Sequence, residues 1–270
     1  MTNGENNILP FCIFIQRPGA ELADTNLKNF KKNFHFLLTN AFLYAILCLQ
    51  VKERKEIPNM KKYIVFDTET TNSLDDPIFF DIGWAVIDAE GSVYETASYV
   101  NADVFLDDEL MASAYYAEKI PQYWKEIKAG SRILAKTKTI KKALAKACKD
   151  WEVDTLIAHN ARFDYRSTNC TQRYLTSSKY RYFLPYGCEL WDTLKMARQA
   201  FKDEEYDTFC YENDYLTARG CKRYTAEILY RFITGDNDFV ESHTGLEDVM
   251  IEKEIFVECL RRGVENGKLW

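Results

Sequence analysis

Residues 63–71 read YIVFDTETT. Tyr63-Ile64-Val65-Phe66 is a run of β-branched and aromatic residues with strong strand character, and it leads directly into Asp67 and Glu69. Residues two apart on a strand face the same way. The two carboxylates therefore point to one side at the end of a first strand, with Thr68 opposite. Carboxylates held side by side repel, and one takes up a proton unless a cation sits between them. Unpaired buried charge is expensive, so a fold containing this stretch has to bring positive charge to a strand end. A lysine, a helix terminus or a metal ion would serve, and hard oxygen ligands of this sort suit Mg²⁺ or Mn²⁺.

The pattern downstream gives the architecture. Strands are expected over 62–67, 79–88 and 93–100, the last two joined by a turn at Ala89-Glu90-Gly91-Ser92. An acidic, alanine-containing helix is expected over 107–119, interrupted by Pro121. TKTIKKALAKACKDW (137–151) is the clearest helix, with Ile140, Ala143, Leu144, Ala147, Cys148 and Trp151 on one apolar face. A short strand TLIAH (155–159), a helix through Asp164–Leu175, a strand ELWDT (189–193) and a helix at Leu194–Phe201 follow. Helices at 222–234 and 245–262 close the chain. Antiparallel strands first and helix-linked strands after imply an α/β fold, a mixed sheet covered by helices.

The 270 residues, 47% hydrophobic and 28% charged, suit one or two globular domains. Eight cysteines without CxxC or regular spacing read as reduced thiols of a cytoplasmic protein, not as a zinc site or disulfide framework. The formal charge of −6 gives no overall basic field for nucleic acid, so local lysines or bound cations must attract any polyanion. Residues 1–59 differ from the rest: seven Lys or Arg against five Asp or Glu give +2, leaving −8 for residues 60–270. Their apolar stretch 35–51 contains His35, Thr39, Asn40 and Gln50 and is marginal for a membrane span. It also lies too far from the start, without a small-residue cleavage site, for an ordinary secretory signal. The expectation is an extension outside a folded domain that spans 60–270, with membrane-anchor and docking-helix roles as the rivals.

Two more acids stand at comparable places. In LIAHNARFDYR (156–166) a strand ends at His159-Asn160 and places Asp164 in the early turns of a helix. In SHTGLEDVMIEKEI (242–255), Thr244 and Glu247 fit a capping box, which fixes Asp248 on a helix and leaves His243 just before it. Each acid alone is equally well a helix-dipole partner, and His243 alone a capping-loop residue. Together they change the balance, because the chain has only three histidines and one stands five residues before a helix-borne acid.

DTET, HNARFD and HTGLED, in that order over residues 62–262, resemble the three motifs of the DEDDh, proofreading-type 3′–5′ exonucleases. That resemblance implies a ribonuclease H-like fold with a five-stranded mixed sheet. It implies Asp67, Glu69, Asp164 and Asp248 as ligands of two Mg²⁺ or Mn²⁺ ions and His243 as general base. Thr70 and Asn160 are the expected substrate contacts, and single-stranded or 3′-terminal nucleic acid is the expected substrate, DNA ahead of RNA, with a DNA polymerase as a candidate partner. Two such metals would activate a water and stabilise both the attacking and the leaving oxygen. The sequence departs from the family at Asn72, where glycine is common; asparagine also tolerates left-handed backbone angles. Its 102–136 stretch is longer than a minimal domain needs.

A haloacid-dehalogenase-type phosphatase also ends its first strand in an aspartate, but it needs a second aspartate where Glu69 stands. A non-catalytic nucleic-acid-binding module on the same fold predicts lost acids, and all five positions are intact. The lysines at 138, 142, 146 and 149 read as a solvated helix face, and the aromatics from Tyr206 to Phe232 as core.

Overall fold

A six-stranded mixed sheet organises the described residues, its strands lying side by side in the order 133–135, 93–101, 78–87, 63–71, 155–158 and 189–192. The computed structural model describes residues 60–177 and 181–270. The proposed extension at 1–59 and its apolar segment lie outside the described residues. No helix among the described residues is long and apolar enough to cross a membrane.

β1 (Tyr63–Thr71), β2 (Ile78–Ile87) and β3 (Val93–Asn101) form an antiparallel meander. β5 (Thr155–Ala158) and β6 (Glu189–Asp192) continue the sheet parallel to β1. This is the ribonuclease H-like arrangement that the sequence motifs imply. The expected count of five strands is corrected by β4 (Ile133–Ala135), which pairs parallel to β3 at the sheet edge. Three residues are too few to show the alternation that identifies a strand.

Alternation along β1 builds two cores. Tyr63 and Val65 pack with Ile157 and Trp191 against α6 (Thr193–Ala200), α7 (Glu204–Glu212), α8 (Ala226–Thr234) and α9 (Gly245–Arg261). Ile64 and Phe66 pack with Trp84 and Val86 against α4 (Thr137–Asp150) on the other face. Helix α4 buries Ile140, Leu144, Ala147 and Cys148 and exposes Lys138, Lys142 and Lys149, as its periodicity predicts. The aromatic cluster is core for Tyr206, Phe209, Tyr215, Tyr224, Tyr230 and Phe232, whereas Tyr211 is exposed.

The stretch 102–136 differs most from expectation. The single helix over 107–119 is replaced by α1 (Ala102–Phe105), α2 (Asp108–Met111) and a 3₁₀ turn at Ala117–Lys119. Pro121 does not interrupt a helix but opens α3 (Ile120–Ala129). In a first turn its missing N–H has no partner to lose. These pieces enclose a third apolar cluster, in which Phe80 meets Phe105 and Tyr123. Helix α5 (Arg162–Leu175) then carries Asp164 in its first turn.

Candidate metal and catalytic centre

β1 extends past the expected residue 67 to Thr71, so Asp67 and Glu69 belong to the strand itself. The ladder slips between Glu69 and Thr70: Glu69 faces Asp81 and Thr70 faces Phe79, leaving Phe80 as the extra residue of a β-bulge. Just beyond, Asn72 adopts φ 69°, the left-handed angle expected at that turn.

Asp164 is tied to β1. Its Oδ1 accepts the Thr68 N–H at 3.2 Å and the Thr68 hydroxyl at 2.8 Å, and that hydroxyl lies 2.9 Å from Ser167 Oγ. Thr68, read from the sequence as facing away, thus fixes the third acid. Asp248 is tied to the turn before its own helix. Its Oδ2 accepts the Thr244 N–H at 2.9 Å, and Ser242 Oγ donates to its Oδ1 at 3.4 Å. The expected capping box is therefore altered. Thr244 is the N-cap, but Asp248, not Glu247, returns the reciprocal bond, and the Thr244 hydroxyl donates to Glu247 Oε2 at 2.7 Å.

Two glycines set where α9 begins. Gly83 is the β2 partner of Asp67, and a Cβ there would lie 2.3 Å from the Leu246 nitrogen. A Cβ on Gly245 would lie 2.8 Å from the Gly83 nitrogen. The bare backbones let the helix start rest directly on the strand beside Asp67. Asp81 Oδ2 accepts the Gly245 N–H at 2.9 Å, and the same carboxylate binds Arg132 Nη1 and the Tyr123 hydroxyl. Arg132 Nη2 reaches Glu247 at 2.7 Å and its Nε binds Glu126. This buried guanidinium joins α3, β2 and the first turn of α9.

The result is a cleft of about 950 Å³ whose walls include Asp67, Glu69, Asp164, Asp248 and His243. Asn160, at φ 59°, lines it as well, whereas Thr70 does not. Ligand atoms of Glu69, His243 and Asp248 all lie within 4.8 Å of one another. The His243 ring stacks on Tyr116 with centroids 4.3 Å apart and planes 10° apart, and Nδ1 is 3.9 Å from Glu241 Oε2. Its backbone has φ 52°, a left-handed angle that few non-glycine residues adopt, histidine, asparagine and aspartate more often than the rest.

Glu252 joins these residues unannounced by any motif. It lies one helical turn beyond Asp248, is 3% exposed, lines the cleft, and its Oε2 has no hydrogen-bond partner. The i, i+4 spacing from Asp248 was the available signal. Tyr116 and Arg132 carried none, since their roles depend on contacts with residues distant in sequence.

Crowding shows in the acid strengths. Burial, then the neighbouring Asp164, Glu252, Glu69 and Asp248, raises Asp67 well above the usual carboxylate range. Burial and Asp248 push Glu69 up to about 9. Burial and Glu241 push Asp248 to about 8, while burial outweighs the Thr68 hydrogen bonds at Asp164 and brings it to about 7. Burial lowers the His243 pKa, favouring its neutral form. Among the described residues no Lys or Arg forms an ion pair with Asp67, Glu69, Asp164, Asp248 or Glu252. Carboxylates in this number, with Asp164 and Asp248 fixed by hydrogen bonds and none ion-paired to Lys or Arg, fit a hard divalent cation.

No family model matches the sequence, and no curated protein matches it. Similar solved structures include *E. coli* Exonuclease I with a 5cy-dT13 oligonucleotide, 13% identical, covering 76% of this chain and 41% of that one at TM-score 0.49. Exonuclease I of Methylocaldum szegediense is 16% identical over 76% of this chain and 41% of that one, at TM-score 0.46. The zinc-bound *E. coli* ExoI–ssDNA complex is 13% identical over 77% and 42%, at TM-score 0.44. The chain thus spans about two fifths of the length of these structures.

Proposed function

We propose that this protein is a divalent-metal-dependent nuclease that removes nucleoside 5′-monophosphates from the 3′ end of single-stranded nucleic acid, DNA ahead of RNA. The observation that carries this reading is the convergence of five carboxyl groups without a basic partner beside His243. Asp67, Glu69, Asp164 and Asp248 are the residues that would hold Mg²⁺ or Mn²⁺. Bound divalent ions would supply Lewis-acid stabilisation of the phosphate and a lower pKa for the attacking water. His243, neutral at physiological pH and oriented by Tyr116, takes the proton from that water as its oxygen bonds to phosphorus. The bond from phosphorus to the 3′-oxygen of the preceding nucleotide breaks, that oxygen takes a proton from solvent water, and the His243 imidazolium returns its proton to solvent. Asn160 is assigned to the terminal nucleotide; Thr70, outside the cleft wall, is assigned no role. Residues 60–270 contain every group invoked, and a chain beginning at Met60 should retain activity.

The test is incubation with single strands labelled at one end or the other, in Mg²⁺, Mn²⁺ or EDTA. A ladder shortening from the 3′ end, release of 5′-monophosphates and complete loss in EDTA are expected. No hydrolysis with either cation, or cleavage at internal sites alone, would exclude the assignment.

A further inference from the structure

The acid-lined cleft does not end at the acids. A second concavity of about 580 Å³ adjoins it, and Asn160, Leu194 and Arg198 line both. Its walls carry Arg162 at the start of α5, Lys195 and Arg198 one turn apart on α6, and Lys202 just past the end of α6. All four are exposed. Arg162, Arg198 and Lys202 form no ion pair among the described residues, and Lys195 Nζ donates only to the Lys268 carbonyl, at 2.5 Å. The single acid in this wall, Asp192, is buried, its Oδ1 holding the Asn160 and Leu194 N–H groups. Four cations facing one groove stand out in a stretch whose net charge is −8.

We propose that this outer groove carries the phosphate backbone of the strand on the 5′ side of the scissile bond, an assignment that rests on the nuclease reading of the acid centre. A polyanion approaching five carboxylates is repelled along most of its length. A neighbouring row of unpaired cations offsets that repulsion and draws the strand toward the cleft from one side. Flexible lysines and arginines contact phosphate without reading bases, so the groove tracks backbone and confers no sequence preference. The lysine face of α4 presents comparable charge but lies away from the cleft wall, which makes it the internal control.

The experiment uses the full chain and a single strand of about 20 nucleotides, long enough for several phosphate contacts. Binding is followed by fluorescence anisotropy in EDTA at increasing salt. Each phosphate contact contributes about 0.7 to the slope of log affinity against log salt for single strands. The variant Arg162→Ala/Lys195→Ala/Lys202→Ala should therefore be shallower by about 2. From about 50 to about 200 mM salt, the parent's affinity should fall about 20-fold more than the variant's. With Mn²⁺ present, the variant's KM for the strand should rise. Turnover of a nucleoside 5′-phosphate p-nitrophenyl ester, too short to reach the groove, should match the parent's. The variant Lys138→Ala/Lys142→Ala/Lys149→Ala removes equal charge from α4 and should keep the parent's slope. An unchanged slope in the groove variant, or an equal fall in the α4 variant, would overturn the proposal. A parent that hydrolyses neither substrate would sink the nuclease reading, while the salt slope would still report on the groove.

Discussion

Replacing Gly83 by alanine should damage both stability and catalysis, although Gly83 has no side chain and does not line the cleft. The added methyl would lie 2.3 Å from the Leu246 nitrogen and 2.5 Å from the Gly245 carbonyl carbon, where ordinary contacts begin at 3.4 Å. Both obstacles are backbone, so no side chain can swing away, and the start of α9 must retreat by about 1 Å. That retreat stretches the 2.9 Å bond from Gly245 N–H to Asp81 Oδ2 beyond hydrogen-bond range. Overpacking costs about 1–3 kcal/mol and a lost hydrogen bond to a charged group about 1.5–3 kcal/mol, together about 2.5–6 kcal/mol. Domains have only about 5–15 kcal/mol in total. In a domain of this size the melting temperature should fall by about 5–24 °C. Asp248 and His243 move with the helix start, and a 1 Å misplacement costs about 100-fold in rate. Thermal melts and turnover under Mn²⁺ at a temperature where the variant remains folded measure both effects. Gly263→Ala is the control: φ is +80° but nothing lies within 4 Å, so it should cost only the left-handed backbone penalty, about 1–2 kcal/mol, and leave turnover unchanged. A Gly83→Ala protein with the parent's melting temperature and rate would refute the account of how α9 is seated.

Metal-free protein should lose stability as pH rises. Folding raises Asp164 to about 7, Asp248 to about 8 and Glu69 to about 9, mainly through burial, so the folded state binds more protons than the unfolded one, whose carboxylates titrate near ~4. The contribution is fully present below about 4 and is lost as pH climbs through about 7–9; melts in EDTA should show this decline, Mn²⁺ should flatten it, and a flat EDTA profile would contradict the crowding. His243→Ala should slow hydrolysis by about 10²–10⁴-fold while calorimetry shows the parent's Mn²⁺ affinity; weakened Mn²⁺ binding would make the imidazole a ligand instead. Arg132→Met should destabilise by about 3–5 kcal/mol, because it strands the buried Asp81 carboxylate, and denaturant midpoints near the parent's would show that the guanidinium does not hold that junction.

The sheet and the main acids were readable because their signals are local. YIVF announces a strand, the α4 periodicity a helix, and DTET, HNARFD and HTGLED place their acids at element ends. What escaped depends on contacts between distant residues. Asp81 and Arg132 are 51 positions apart and meet only after β2 and α3 are packed. Thr68 faces Asp164 across 96 residues. Glu252 shares a helix face with Asp248, but the sequence does not say that this face meets the acids of β1. Thr244 and Glu247 matched a capping pattern, yet the Arg132 guanidinium draws Glu247 outward and Asp248 takes the vacated bond.

β1 lies between an antiparallel neighbour and a parallel one. Its chain turns away toward β2, while the chain leaving β5 passes through α5 to β6 on the opposite side. Diverging connections open a crevice at the ends of β1 and β5, as at the switch points of open α/β sheets. The hollow is thus a property of strand order, independent of the acids that line it. Substituting those acids should therefore abolish turnover without closing the space, leaving a catalytically silent protein that still seats a strand end.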